Sequence, residues 1–170
     1  MASFINKTTF IRPNTDRYFE DYCEGDVHEF GVYSVSEAEI IDFTSKWDPQ
    51  GFHINPELGL QEGFGGVIAS GFHTSAICSV IAQRHFLSKS CSMPSPGIGE
   101  MKFHRPARPG DALWVRFTIL ETYASKSKPD RGLIHVKLES FNQNNEIVLD
   151  FESKWFVKKR TLSTHAHPST

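Results

Sequence analysis

The 170-residue chain is short of cysteine, of net charge and of long apolar runs, and each shortage removes a class of protein. Its three cysteines, Cys23, Cys78 and Cys91, show no CxxC or other metal-ligand spacing. That excludes a disulfide scaffold, and an odd, sparse set of free thiols suits the reducing cytoplasm. The eight histidines form no HExxH or comparable pair, so neither a metal nor another cofactor is expected. Net charge is −2, with one compact basic run, Lys158-Lys159-Arg160, at the end of an alternating apolar stretch. Such a run is a solvated strand end, and no field favours nucleic acid. No apolar stretch approaches the roughly 18 residues of a membrane span, so no membrane partner is expected. The first residues also lack the apolar core of a secretory signal, although Lys7, Arg12 and Arg17 with no acid before Asp16 give a faint transit-peptide flavour.

What the chain does have is bulk. Fourteen Phe, four Tyr and three Trp supply large packing side chains. A chain of this size can bury about 70% of its extended surface, enough for one domain with its own core. Residues 1–16, which lack periodicity, are expected as an arm docking on the domain or on a partner. Residues 17–160 form the domain, and the polar stretch 161–170 is expected to fray.

Glu29 to Val35 reads as a strand after the Gly25-Asp26 turn. Ser36-x-x-Glu39 is a capping box, and Ile40, Phe43 and Trp47 follow at helical spacing. Pro49 disfavours helical geometry at Asp48, which therefore stands where helix becomes loop. From Gly71 a second, longer helix is expected, apolar on more than one side: Phe72, Ala76 and Val80 repeat beside Ile77, Ile81 and Leu87. Everything after it is strand-like, from Gly97 to Arg105 and then in three alternating segments through Leu113–Ile119, Ile134–Leu138 and Ile147–Val157. Turns at 128–132 and 142–145 separate them. The fold class is α+β, with an antiparallel sheet wrapped around one long central helix.

Two segments carry possible chemistry. In Asp48-Pro49-Gln50-Gly51-Phe52-His53-Ile54-Asn55-Pro56, an acid at a helix end and an imidazole five residues on can converge across one water, one taking and one giving a proton. Taken alone, an Asp capping a turn and a His bonded to backbone is the commoner outcome. In Phe64-Gly65-Gly66-Val67-Ile68-Ala69-Ser70-Gly71, a glycine opens the buried helix and presents a free N–H at the positive end of its dipole. Such a donor suits a carbonyl oxygen that becomes negative; close packing is the plain alternative for the same glycine.

Together these motifs resemble the MaoC-like dehydratase family, the (R)-specific enoyl-CoA hydratases. Arg17-Tyr18-Phe19-Glu20-Asp21 with Gly25-Asp26, and Arg105-Pro106-Ala107-Arg108-Pro109-Gly110-Asp111, extend the likeness in order from about Arg17 to Lys159. The resemblance implies a hotdog fold, pairing of two subunits, and hydration of trans-2-enoyl-CoA thioesters or dehydration of the 3-hydroxyacyl form. By that resemblance Asp48 and His53 are the catalytic pair and Gly71 the oxyanion donor, with Ser79 near a supporting hydroxyl. Asn55, Phe52, Phe72, Arg105 and Arg108 are candidates for substrate binding, the two arginines toward coenzyme A phosphates. The partners expected are an acyl-CoA thioester and a second copy of the chain, as homodimer or higher homo-oligomer. Two positions depart from the family pattern: Gly51 where proline is frequent, and Asn55 where an acid is usual. Other readings of the same motifs are a hotdog acyl-CoA thioesterase and a non-catalytic acyl-thioester-binding subunit. His73, His104 and His135 are expected to be packed or solvated.

Overall fold

The computed structural model describes residues 4–160, so the stretch expected to fray at 161–170 lies outside the described residues. In chain order the elements are β1 (Ile5–Lys7), β2 (Val27–Ser34), α1 (Glu37–Trp47), α2 (Gly51–Ile54), α3 (Pro56–Gln61), α4 (Gly71–Ile81), β3 (Gly97–Phe103), β4 (Ala112–Ala124), β5 (Arg131–Phe141) and β6 (Ile147–Lys158). A π-helical turn, Ala82–Phe86, continues α4 without a break, giving a central helix of 16 residues.

Period-two alternation builds the sheet. Leu113, Val115, Phe117 and Ile119 on β4 all point inward and are fully buried, as are Ile134 and Val136 on β5. The strands form one antiparallel sheet of order β1-β2-β4-β5-β6-β3. The central helix lies across its inner face, where Ile77, Cys78, Ile81 and Phe86 join the core and Phe86 stacks on Phe117 with ring centroids 4.5 Å apart. Each fully buried side chain of this kind contributes roughly 1.5–3 kcal/mol.

The arm docks on the domain itself. Its β1 pairs with β2, Ile5 opposite Gly31, and Phe10 packs between the Arg17 guanidinium and the rings of Tyr22 and His28. The strand expected to run from Gly97 to Arg105 stops at Phe103, because the amides of His104 and Arg105 both turn onto the Val148 carbonyl.

Trp47, the last of the residues at helical spacing on α1, is 71% exposed, whereas Thr44 is buried with its hydroxyl taken up by backbone carbonyls. Two local expectations need correction. The Ser36 hydroxyl does accept from the Glu39 amide, but the Glu39 carboxylate binds the Tyr33 hydroxyl rather than reaching back to the cap. The stretch after Asp48, expected as loop, folds into α2 and α3. Pro56 opens α3 and the Asn55 side chain caps it, accepting from Glu57 N at 2.8 Å and more weakly from Leu58 N.

Candidate active site

Asp48 leaves helical geometry before Pro49, yet its amide still bonds to Thr44 O at 2.9 Å, so its carboxylate is carried on the end of α1. The Thr44 hydroxyl lies 3.1 Å from the His53 carbonyl and ties α2 against α1. This linkage folds the loop back and brings Asp48 and His53 together.

The chain 67–70 is the second wall. Val67, Ile68, Ala69 and Ser70 are buried and lie outside any helix or strand, with Ala69 N donating to Ala107 O at 2.8 Å. Gly65 and Gly66, both with positive φ, make the turn that delivers this segment. Gly66 also passes so close to Gly59 that a Cβ on Gly59 would fall 2.2 Å from the Gly66 carbonyl oxygen.

His53 Nδ1 lies 2.7 Å from the Ile68 carbonyl. A carbonyl only accepts, so Nδ1 carries the proton and, in the neutral ring, Nε2 holds a lone pair. Nε2 stands 3.7 Å from Asp48 Oδ2, beyond direct hydrogen bonding but within the span of a bridging water. Gln50 Nε2 donates to Asp48 Oδ1 at 2.8 Å, holding the other carboxylate oxygen. The His53 side chain is only 7% exposed and that of Asp48 18%. The arrangement is an oriented acid–imidazole pair with one gap between its reactive atoms.

Gly71 opens α4 directly beside it. Ser70 caps the helix, its hydroxyl accepting from His73 N at 3.2 Å. The Gly71 N–H belongs to the first turn, which has no intrahelical acceptors, and it has no hydrogen-bond partner among the described residues. A Cβ at this position would meet the Phe103 ring at 2.4 Å, so the ring sits where any side chain would be. His53 and Gly71 line one pocket of about 330 Å³ with Phe64, Ile68, Thr74 and Phe103.

The remaining candidates divide. Arg105 lines this pocket, its guanidinium 3.3 Å from Glu146. Arg108 donates to the Phe64 carbonyl, bracing the wall of the pocket. Phe52 packs its ring on His53 and Phe64, with centroids 4.4 and 5.0 Å away, behind the pocket rather than in it. Asn55 is occupied as the cap of α3, and Phe72 is 68% exposed on the outer side of α4. Ser79 lies further along the helix and lines a different cavity, of about 520 Å³, with Ala76, Ala82, Met101, Phe151 and Trp155. Gln50, which holds the Asp48 carboxylate, gives no motif in the sequence, and His104, expected to be packed or solvated, stands at this pocket with its side chain partly exposed.

An antiparallel sheet wrapped around a central helix, with an acid–imidazole pair at the open amino end of that helix, defines a hotdog protein of α+β class. The family model described as MaoC like domain matches residues 24–139, and the chain belongs to that family. The solved MaoC-like dehydratase from Rhodospirillum rubrum is 34% identical, with a TM-score of 0.79 over 86% of this chain and 99% of that one. The R-hydratase PhaJ1 from Pseudomonas aeruginosa, at 20% identity, shares the fold with a TM-score of 0.69 over 99% of both chains. Among curated proteins, the uncharacterized protein YdeM from Bacillus subtilis (strain 168) is 28% identical over 141 residues, 82% of this chain and 98% of that protein. Among the described residues, no helix is long and apolar enough to cross a membrane.

Proposed function

We propose that this chain is an (R)-specific hydratase and dehydratase of trans-2-enoyl-CoA thioesters, with Asp48, His53 and the Gly71 amide as its reacting groups. The observation that carries the reading is the 3.7 Å gap between Asp48 Oδ2 and His53 Nε2, beside an unpartnered N–H at the amino end of a buried helix. Membership of a dehydratase family and a fold shared with a protein named as an R-hydratase support it.

In this reading the thioester oxygen accepts from Gly71 N–H, which draws electron density from the double bond and leaves C3 electrophilic. A water within hydrogen-bond reach of both atoms, to one side of the line between them, donates one hydrogen to the lone pair on Nε2 or to the carboxylate, and its oxygen attacks C3. The electron pair of the double bond moves toward the carbonyl as an enolate. One proton returns from the pair to C2, so the net change is H and OH added across C2 and C3, and the reverse sequence expels water. Because both groups face one gap, addition is to one face. A proton-transfer pair of this kind is worth about 10² to 10⁴ in rate. The cavity lined by Ala82, Met101, Phe151 and Trp155, further along the central helix and with Ser79 at its wall, is the space for the distal part of a longer acyl chain. The enzyme works as a homodimer in the cytoplasm. β3, at the edge of the sheet, with Ile98 exposed near its start, is the surface on which the second copy pairs, while Phe103 at its other end stays over Gly71.

Incubation with crotonyl-CoA, following the enoyl absorbance and free thiol together, tests the reaction. Loss of absorbance without thiol is expected. Release of thiol would make the protein a thioesterase, and no change in either would leave it a binding subunit.

A further inference from the structure

A second imidazole–carboxylate pair stands at the same pocket. β3 ends at Phe103, whose ring lies over Gly71, and the chain then turns along the pocket rim. The amides of His104 and Arg105 donate to the single Val148 carbonyl at 2.8 and 3.2 Å, which fixes both residues on that rim. His104 Nε2 lies 2.5 Å from Asp150 Oδ2 on β6. A carboxylate accepts, so Nε2 carries a proton, and Nδ1 has no hydrogen-bond partner among the described residues. Arg105 is next to it, with its guanidinium half-exposed and 3.3 Å from Glu146, an exposed contact that a ligand can displace at little cost. His53, Gly71, His104 and Arg105 line one and the same pocket.

We infer that His104, oriented by Asp150, and Arg105 bind an oxyanion of the substrate at the mouth of this pocket. The assignment rests on the thioester reading given above and adds to it a residue whose function is recognition. With an oxyanion at Nδ1 and Asp150 at Nε2, the ring carries both protons and bridges two anions, while the guanidinium supplies a planar fork to the same group. The inference gives His104 recognition rather than proton transfer, because it lies past the end of β3, on the rim of the pocket that His53 and Gly71 also line.

Two sources could supply the oxyanion. A pocket of 330 Å³ is about 9 Å across if taken as a sphere. The pantetheine arm that separates a thioester from the phosphates of coenzyme A spans roughly 14 Å when extended at backbone-like bond advances. A phosphate would therefore meet His104 and Arg105 from outside the rim, whereas a carboxylate on the acyl group would meet them from inside.

Three thioesters separate the sources: crotonyl-CoA, crotonyl-pantetheine without phosphates, and the pantetheine monothioester of trans-butenedioic acid, which carries an acyl carboxylate. His104→Gln and Arg105→Gln are compared with wild type for KM and kcat on each, and for affinity by calorimetry. Loss of a half-exposed charged hydrogen bond is expected to raise KM roughly 3- to 10-fold with kcat within about twofold. A rise confined to crotonyl-CoA assigns the phosphate, and a rise confined to the butenedioyl thioester assigns the acyl carboxylate; either supports the inference. An equal loss on all three, a fall in kcat without a change in KM, or no change on any of them would overturn it. If the wild type binds crotonyl-CoA without hydrating it, the hydratase reading fails, and the dependence of affinity on His104 still decides this assignment. If the wild type binds none of the three, the assignment falls as well. The His104 side chain is 36% exposed, so the glutamine variant is expected to keep the wild-type melting temperature, which excludes a folding effect.

Discussion

The two ends of the central helix are treated in opposite ways. At the amino end, Gly71 N–H is left without a partner and opens on a pocket, with Asp48 and His53 beside it. At the other end, the carbonyls of the π-helical turn are closed off by the arm and the segment that follows it. Arg17 donates to the carbonyls of His85 at 3.0 Å and Phe86 at 2.6 Å, Tyr22 Oη to Phe86 at 3.0 Å, and Asn14 Nδ2 to Arg84 at 2.6 Å. Both ends of any helix begin with unpaired backbone groups. Here the chain satisfies the acceptors with its own side chains and leaves the Gly71 donor without a partner among the described residues, so in the proposed reading stability and reactivity lie at opposite ends of one element.

The largest expected effect separates them directly. Asp48→Asn keeps the shape of the side chain but removes the charge that faces His53 Nε2, and it should lower kcat by about 10² to 10⁴ while the melting temperature stays unchanged. Steady-state kinetics beside a thermal melt checks this, and near-normal turnover would end the proposed mechanism. At the closed end the outcome should invert. Arg17→Met keeps the stem against Phe10 but leaves the His85 carbonyl without its side-chain donor, while the Phe86 carbonyl keeps the Tyr22 hydroxyl, at about 1–3 kcal/mol for a buried group left unpaired. Chemical denaturation should show a loss of about 1–3 kcal/mol, with kcat per folded molecule preserved. A large fall in kcat there would mean that the two ends are coupled.

The open end was more legible in the sequence than the closed one. Gly71 before an apolar run marks a helix start, and Asp48 before Pro49 marks a helix stop, because both signals are local. The meeting of Asp48 and His53 rested on a resemblance between motifs, since five residues of spacing do not by themselves fold a loop back. What folds it back is the Thr44 hydroxyl on the His53 carbonyl and the Ile68 carbonyl on Nδ1, contacts that no spacing reveals. Asn55 carried a local signal, Asn-Pro-Glu, that spells a helix cap, and its cap role explains an asparagine two residues after the histidine without any contact to the ring. The closed end was illegible because Arg17, Tyr22 and Asn14 reach residues more than sixty positions away. Strand alternation gave β4 and β5 their inward faces, while β1 was too short to show a period.

Acid should probe the closed end more gently. His28, fully buried on β2 with Nδ1 2.9 Å from the Thr8 hydroxyl, stacks on Phe10 of the arm. Burial pushes its pKa down to about 4 from the usual 6.5, with Asp26 opposing the shift and Arg17 adding to it. Between those values the unfolded chain binds a proton that the folded chain refuses, so stability is complete above about pH 6.5 and falls as pH drops toward 4. From pH 7 to pH 5 the loss from this one residue is about 2 kcal/mol. His73, lowered in the same direction by burial against α1, adds to it. Urea midpoints at the two pH values measure the slope, and His28→Phe should flatten it. An unchanged slope in that variant would place the acid sensitivity elsewhere.

The smallest expected effect returns to the open end and asks whether the free N–H or merely the space beside it matters. Gly71→Ala leaves the amide in place, and the backbone there needs no left-handed geometry, so the fold should hold. The added methyl, however, would meet the Phe103 ring at its far edge, 2.4 Å from the ideal Cβ. An exposed ring at a strand end can swing, so the cost in stability should be small, but the displaced ring and the methyl both narrow the approach to the N–H. A fall of about tenfold in kcat/KM is expected, near 1.4 kcal/mol of transition-state stabilisation. Phe103→Leu in the Gly71→Ala background should recover part of it by giving the methyl room. If the double variant recovers nothing, the methyl acts on the ligand itself, and Gly71 is required for its lack of a side chain toward the substrate rather than toward Phe103.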